Sequence, residues 1–466
     1  MKPCLCHRIA RFRWPLAASM VALAMACATV PTVAFATEKP AVSALKDKRG
    51  QPFPAAPAVA QGALSPELSK VLAEIGPALR ERRFPADAVK AIGASGDARM
   101  GWVLYDLLRF AGDPGAVVSA FEKLSGASLP AEPFTAMGDR LLAWNLPAPP
   151  GYHEMKRDLF LLIEPKWEPF FADASSAIDW RHVGWGGVFI DDRLDATKDE
   201  VCPRGCIPAI DQPKTTPAAQ GRWYPDSAIV FGIVINGQAR AYPKNIMEVH
   251  EMVNDTLGGR RIAIPYCTLC LSAQAFFTDR VPGFEPLLRT SGLLSRSNKF
   301  MYDRSTWSAV DTFTGRAISG PLHKAGVTLP QTSVVVSTWG AWRMAHPRTT
   351  ILAQDGGVGR RYPLDPLRGR DDNGPIFPVG DVDPRLPVHE RVLGVTAPDG
   401  KPLAFPRAAA QLALNAGQAV RMGGVEIRRD AGGLRAFAGK DELPSHEAFW
   451  FAWSQFKPGT GLWRRQ

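Results

Sequence analysis

The sequence predicts an α+β fold in two parts: an N-terminal all-α domain, then a larger β-rich α+β domain with an internal duplication. Three observations carry this. Residues 65 to 163 repeat apolar positions at helical spacing between capped turns. Beyond residue 200 the chain changes to short β-like runs punctuated by Pro and Gly. Two sets of landmarks in that second region then recur, in the same order, nearer the C-terminus.

The chain begins with Lys2, Arg8, Arg11 and Arg13, an apolar run from Leu16 to Val30, and the small-x-small site Ala34-Phe35-Ala36. That order is the grammar of a secretory signal peptide, so cleavage is expected after Ala36 and a periplasmic or secreted location follows. Cys27 lacks a good lipobox, because Ala24-Met25-Ala26 precedes it. Residues 1–36 hold four of the 55 Lys and Arg and none of the 45 Asp and Glu, which leaves a net charge of +6 on the remainder. With acids interspersed and no basic tract, that balance argues against nucleic acid as a partner. No later stretch is long and apolar enough for a membrane span after signal cleavage.

Residues 37–62, rich in Ala, Pro, Lys and Gln, read as a flexible leader. The helical domain spans 63–166. Ser65-Pro66 caps its first helix, which turns Leu68, Leu72, Ile75 and Leu79 to one face. Gly96-Asp97 opens a second helix, Asp113-Pro114 a third, and two more follow around Phe134–Trp144 and Tyr152–Ile163. Short amphipathic helices on capped turns resemble HEAT or armadillo repeats, which would offer a docking surface for a protein partner; a helical cap packed on the next domain fits equally. A Trp-, Gly- and Asp-rich linker covers 167–199, and the β-rich domain runs from 200 to 466.

Within it, Ile229–Ile235 is a strand, Asn236-Gly237 a hairpin turn and Gln238–Tyr242 the returning strand. Phe231-Gly232-Ile233-Val234 and Ala241-Tyr242-Pro243 recur as Leu393-Gly394-Val395-Thr396 and Ala404-Phe405-Pro406. Trp339-Gly340-Ala341-Trp342 recurs as Trp450-Phe451-Ala452-Trp453. The second copy, from about residue 388, is contracted and has no cysteine, so one copy carries the site and the other supports it.

Seven cysteines fall to four after cleavage: Cys202, Cys206, Cys267 and Cys270. Cys202-Pro203-Arg204-Gly205-Cys206 reads as a local disulfide; the sharper alternative joins both to Cys267 and Cys270 in a four-thiol site. Upstream of the Cys-x-x-Cys, Ile246–Val253 reads as a helix carrying His250, with Gly258-Gly259 ending it. Three readings of His250, Cys267 and Cys270 stand side by side. The leading one is a thiophilic metal site for copper or zinc. The second is a metal-free thiol–disulfide redox pair. The third is a scaffold or recognition module with structural cysteines. Glu251 and Asp255 are candidates to orient His250.

Several segments around these residues resemble the domain-of-unknown-function 3179 family: Ala239–Pro243, His250–Asp255, Tyr266–Cys270, Ser291–Leu294 with Asn298, Met301–Arg304 with Trp307, and Ile207–Asp211 with Pro213-Lys214. The resemblance covers roughly the last two-thirds of the chain and implies no established activity. Among these residues, Ser291, Asn298, Tyr302, Asp303, Arg304 and Trp307 are candidates to line a pocket, although Asp303 with Arg304 would also serve as an ion pair and Trp307 as a packing anchor. No Gly-x-Ser-x-Gly elbow, Walker loop, dinucleotide fingerprint or His-Glu-x-x-His is present, which weighs against hydrolase, kinase and nicotinamide chemistry.

Overall fold

Ser65 opens the first helix, Pro66–Arg80, by accepting a hydrogen bond from Leu68 N at 3.2 Å. The computed structural model describes residues 45–110, 114–194, 205–369 and 375–465. The signal segment 1–36 and Cys202 lie outside the described residues. Helices Gly101–Leu108, Pro114–Ser125, Pro133–Trp144 and Tyr152–Ile163 follow where apolar spacing predicts them. One helix, Ala86–Ala94, was not expected, because its nine residues hold only Val89 and Ile92 as large apolar side chains. Small residues serve it instead. A Cβ on Gly93 would come within 2.8 Å of Ala120, so glycine lets this helix press against Pro114–Ser125.

Residues 45–62, read as leader, hold no helix but are anchored: Phe53 is buried, and Trp144 and Arg99 donate to the carbonyls of Pro54 and Gly62. The stretch read as a linker likewise carries structure, with helix Glu168–Ala172 and strand Val183–Trp185. That strand pairs antiparallel with Leu288–Ser295. Buried Lys156 holds Asp106 at 3.0 Å and the Val183 carbonyl at 2.6 Å, tying helices to sheet. A single apolar core runs from Leu72 and Trp102 through Trp167 and Val183 to Leu293 and Tyr302. The N-terminal region is helical, and beyond it antiparallel-dominated sheets carry short helices between their strands, an α+β arrangement.

Two of the sheets share one topology. The first orders Val335–Thr338, Ile229–Ile235, Gln238–Pro243, Thr350–Leu352 and Thr215–Pro217; the second orders Ser445–Phe449, Arg391–Thr396, Pro402–Pro406 and Gly461–Leu462. In each, the first three strands are antiparallel and the fourth joins the third in parallel. Gly232 lies under the Trp342 ring and Gly394 under Trp453; a Cβ would meet those rings at 2.2 Å and 2.1 Å. Both indoles donate to a threonine at 2.9 Å, Trp342 to Thr349 and Trp453 to Thr460. The recurring landmarks therefore occupy matching structural positions.

The helix bearing His250 is shorter than its sequence suggests. It spans Lys244–His250 and is stopped by Glu251 in the left-handed region at φ 49°. Met252–Leu257 is already a strand, and Gly258-Gly259 turns it into Arg260–Cys267 rather than ending a helix. Period alone misplaced the boundary, because Met252 and Val253 are as apolar as a helix face would be.

Candidate thiol site

Strand Arg260–Cys267 is buried from Ile262 onward, between Met252–Leu257 and Ala275–Phe277. It ends in one 3₁₀ turn, Thr268–Cys270, stopped by Leu271 at φ 50°. The turn brings both sulfurs to one side, against the Ser297 carbonyl, Cys267 Sγ at 4.0 Å and Cys270 Sγ at 3.6 Å. Both thiols are free, and they are 1% and 0% exposed. The second wall is the hairpin Leu288–Ser295 and Asn298–Asp303, whose turn residues Arg296 and Ser297 both have positive φ. It presents the Ser297 carbonyl and Asn298 Oδ1 to Cys270 Sγ at 3.6 Å and 3.5 Å.

Lys299 on this hairpin is 3% exposed. Its ammonium donates to Glu251 Oε2 at 3.2 Å, to the Glu251 carbonyl at 2.5 Å and to Thr290 Oγ1 at 3.4 Å. Thr268 Oγ1 donates to the other Glu251 oxygen at 3.3 Å. Burial alone would push the Cys267 thiol up; hydrogen bonds from Cys270 and from the Lys299 backbone N–H, with the Lys299 charge, outweigh it and hold Cys267 below the ordinary thiol value. Burial, together with its hydrogen bond to Cys267, pushes Cys270 well up. The two thiols are thus shifted in opposite directions, Cys267 down and Cys270 up.

Cys267, Glu251, Lys299 and Thr290 face a cavity of about 260 Å³, closed on its other side by Val188, Leu293 and Phe377. Cys270 sits behind Cys267 and does not line it.

His250 is not brought onto the thiols. Its Nδ1 lies 2.7 Å from the Pro208 carbonyl, which can only accept, so Nδ1 carries the proton and Nε2 accepts from Tyr362 O–H at 2.6 Å. Burial depresses its pKa to about 4. Among the described residues no group of three or more His, Cys, Asp or Glu side chains is placed to hold a metal ion. Asp255 does not orient His250 either; it binds Arg240 at 2.5 Å and Tyr242 O–H at 2.7 Å.

Of the remaining candidates, Asn298 touches Cys270, whereas Ser291, Tyr302, Asp303, Arg304 and Trp307 do not line the cavity. Ser291 donates to the Phe300 carbonyl and accepts from Trp167 Nε1, locking the hairpin to the helical region. Asp303 caps the Leu287 and Thr306 amides, and Arg304 bonds the Asp192 carbonyl, so the two do not pair with each other. Trp307 stacks on Tyr302 at 5.1 Å between centroids. Cys206 is disulfide-bonded, which removes it from any four-thiol site; its expected partner, Cys202, lies outside the described residues. Sequence reasoning missed Lys299, which reads as a surface lysine between Asn298 and Met301. It also missed Tyr362, in a Pro- and Gly-rich stretch without period.

A family model described as "Protein of unknown function (DUF3179)" matches residues 204–439, half of the chain. The chain belongs to that family. No curated protein and no solved structure matches it. The DUF3179 match takes in both walls of the thiol site and the strands of the second copy through Gly433–Ala438, and ends before Trp450.

Proposed function

We propose that this DUF3179 protein is a thiol–disulfide redox protein in which Cys267 is the attacking sulfur and Cys270 the resolving one. The observation that carries this reading is geometric: two free, buried thiols stand on one Cys-x-x-Cys turn, and of the two only Cys267 faces a cavity. The Cys267 thiolate attacks one sulfur of a disulfide substrate. That S–S bond breaks, one substrate sulfur leaves and takes a proton, and a mixed disulfide forms. Cys270 then loses its proton and attacks Cys267 Sγ, which expels the second substrate sulfur. The substrate gains two electrons and two protons, the protein becomes the Cys267–Cys270 disulfide, and an external dithiol resets it. Lys299 acts as a positioning residue: its backbone N–H favours the Cys267 thiolate, while its ammonium is paired with Glu251, whose charge opposes that thiolate. An exported location, from the signal-like N-terminus, fits such chemistry.

Equilibration in buffers of reduced and oxidised dithiothreitol, followed by mass-tagging of thiols, tests the reading. Two thiols should disappear together in one two-electron transition, and Cys267→Ser or Cys270→Ser should abolish it. A pair that never closes would sink the proposal. One equivalent of copper or zinc, retained without metal-affinity purification and lost in the double Ser variant, would turn the assignment to a metal centre.

A further inference from the structure

The cavity in front of Cys267 carries information on what the pair exchanges with. Because both sulfurs are at most 1% exposed, a folded protein's disulfide cannot reach them at the surface. Cys267 alone lines the cavity, so a substrate must enter it to be attacked. Benzene fills a cavity of about 150 Å³, so one of this size accepts on the order of ten non-hydrogen atoms. That admits a five- or six-membered dithia ring with a short arm, whereas a tripeptide disulfide would have to leave most of its bulk outside the cavity.

The walls add the second constraint. Most of the lining is hydrocarbon, including Val188, Leu269, Leu293, Leu294, Leu367 and Phe377. The charged groups that line it are ion-paired, Lys299 with Glu251 and Glu248 with Lys244, which lies outside the lining. No unpaired charge is offered to a carboxylate or ammonium, and burying an unmatched charge beside such a wall is costly. An uncharged, largely apolar molecule meets no such cost.

We infer that the substrate is a small, uncharged cyclic disulfide bearing a short apolar arm, attacked at one ring sulfur by Cys267 from inside this cavity. This rests on the redox reading above. Opening the ring breaks its S–S bond and leaves the second ring sulfur as a thiolate close to the Lys299 ammonium. Cys270 gives that thiolate its proton, attacks Cys267 Sγ and expels the first ring sulfur, which takes a proton from solvent in place of the one Cys267 released on ionising. The products are an open dithiol and the Cys267–Cys270 disulfide.

The test is a single-turnover reaction of the fully reduced protein with lipoamide, with glutathione disulfide and with a disulfide-bonded protein, read as loss of free thiol with time. Lipoamide should react at least ~10-fold faster than either competitor, and Val188→Phe, which fills the cavity from a half-buried position, should remove at least ~10-fold of the lipoamide rate. The variant should keep the wild-type far-ultraviolet circular dichroism spectrum, which separates a filled cavity from a misfolded chain. A second measurement needs no variant: methyl methanethiosulfonate should label Cys267 in the native protein while a polyethylene-glycol maleimide should not. Glutathione disulfide or the protein reacting as fast as lipoamide, an unaffected Val188→Phe rate, or ready labelling by the bulky maleimide would each overturn the substrate assignment while leaving the redox pair intact. Failure of the pair to close in dithiothreitol would instead remove the redox reading, and this inference with it.

Discussion

At Cys267, burial and hydrogen bonding act in opposite directions, and the donors win. The sulfur is removed from water, which favours the neutral thiol, yet the neighbouring Cys270 and the Lys299 amide favour its thiolate. His250 shows the reverse outcome. It is equally buried, but its hydrogen bond to the Pro208 carbonyl does not offset desolvation, and its pKa falls to about 4. In the unfolded chain the imidazole titrates near its ordinary 6.5. Between those values the unfolded state binds a proton that the folded state refuses, so this group makes stability fall as pH is lowered from 6.5 toward 4. The slope is about 1.4 kcal/mol per pH unit for one proton. Denaturant unfolding of His250→Phe across this window should give a dependence on pH shallower than wild type by about that amount. Identical slopes would mean His250 protonates without unfolding. His250 and the two cysteines stood out in the sequence as chemistry-bearing types, but which of them share a site was not legible, since their partners Lys299, Pro208 and Tyr362 come from other segments.

At the scale of elements, the two matching sheets depend on one contact each. Gly232 and Gly394 leave room for an indole that packs flat on the strand and is pinned by a threonine. Gly394→Ala should destabilise the protein by roughly 1–3 kcal/mol through overpacking against Trp453, and Gly232→Ala by a similar amount. Urea unfolding would show it, and a change below ~0.5 kcal/mol in either variant would mean that the ring moves aside without cost. The second copy also explains why it holds no chemistry. Gly423-Gly424 stands where Gly258-Gly259 turns the first copy, but the following strands Val425–Asp430 and Gly433–Ala438 are joined only by the tight turn Ala431-Gly432. There is no room for a Cys-x-x-Cys excursion. The Asn236-Gly237 hairpin was readable because both residues need positive φ, which their types allow. Helix Ala86–Ala94 was not, because alanine and glycine packing leaves no apolar period.

Over the whole molecule, the cores are shared between regions that the sequence separates. The helical region and the Leu288–Ser295 and Asn298–Asp303 hairpin bury one cluster, and Cys267 and Cys270 pack with Val392, Trp450 and Trp453 of the second copy. Access of a bulky reagent to the thiols therefore requires loss of packing on both sides. Labelling by a polyethylene-glycol maleimide and far-ultraviolet circular dichroism should report coincident transitions in urea. A helical signal that melts well before the thiols open would show that the regions unfold independently. Among the described residues no helix is long and apolar enough to cross a membrane.

The sequence by itself determined the α+β class, the recurring Gly and Trp landmarks, the DUF3179 membership and the two cysteines of the candidate site. Each rests on local pattern: period, turn chemistry and short motifs act over a few residues and can be read from them. Tertiary structure alone decided that Lys299 and Glu251 stand at Cys267, that His250 is spent on Pro208 and Tyr362, and that only one sulfur meets a cavity. Those facts depend on which distant segments are pressed together when apolar surface is buried, and long-range packing leaves no periodic trace in the chain.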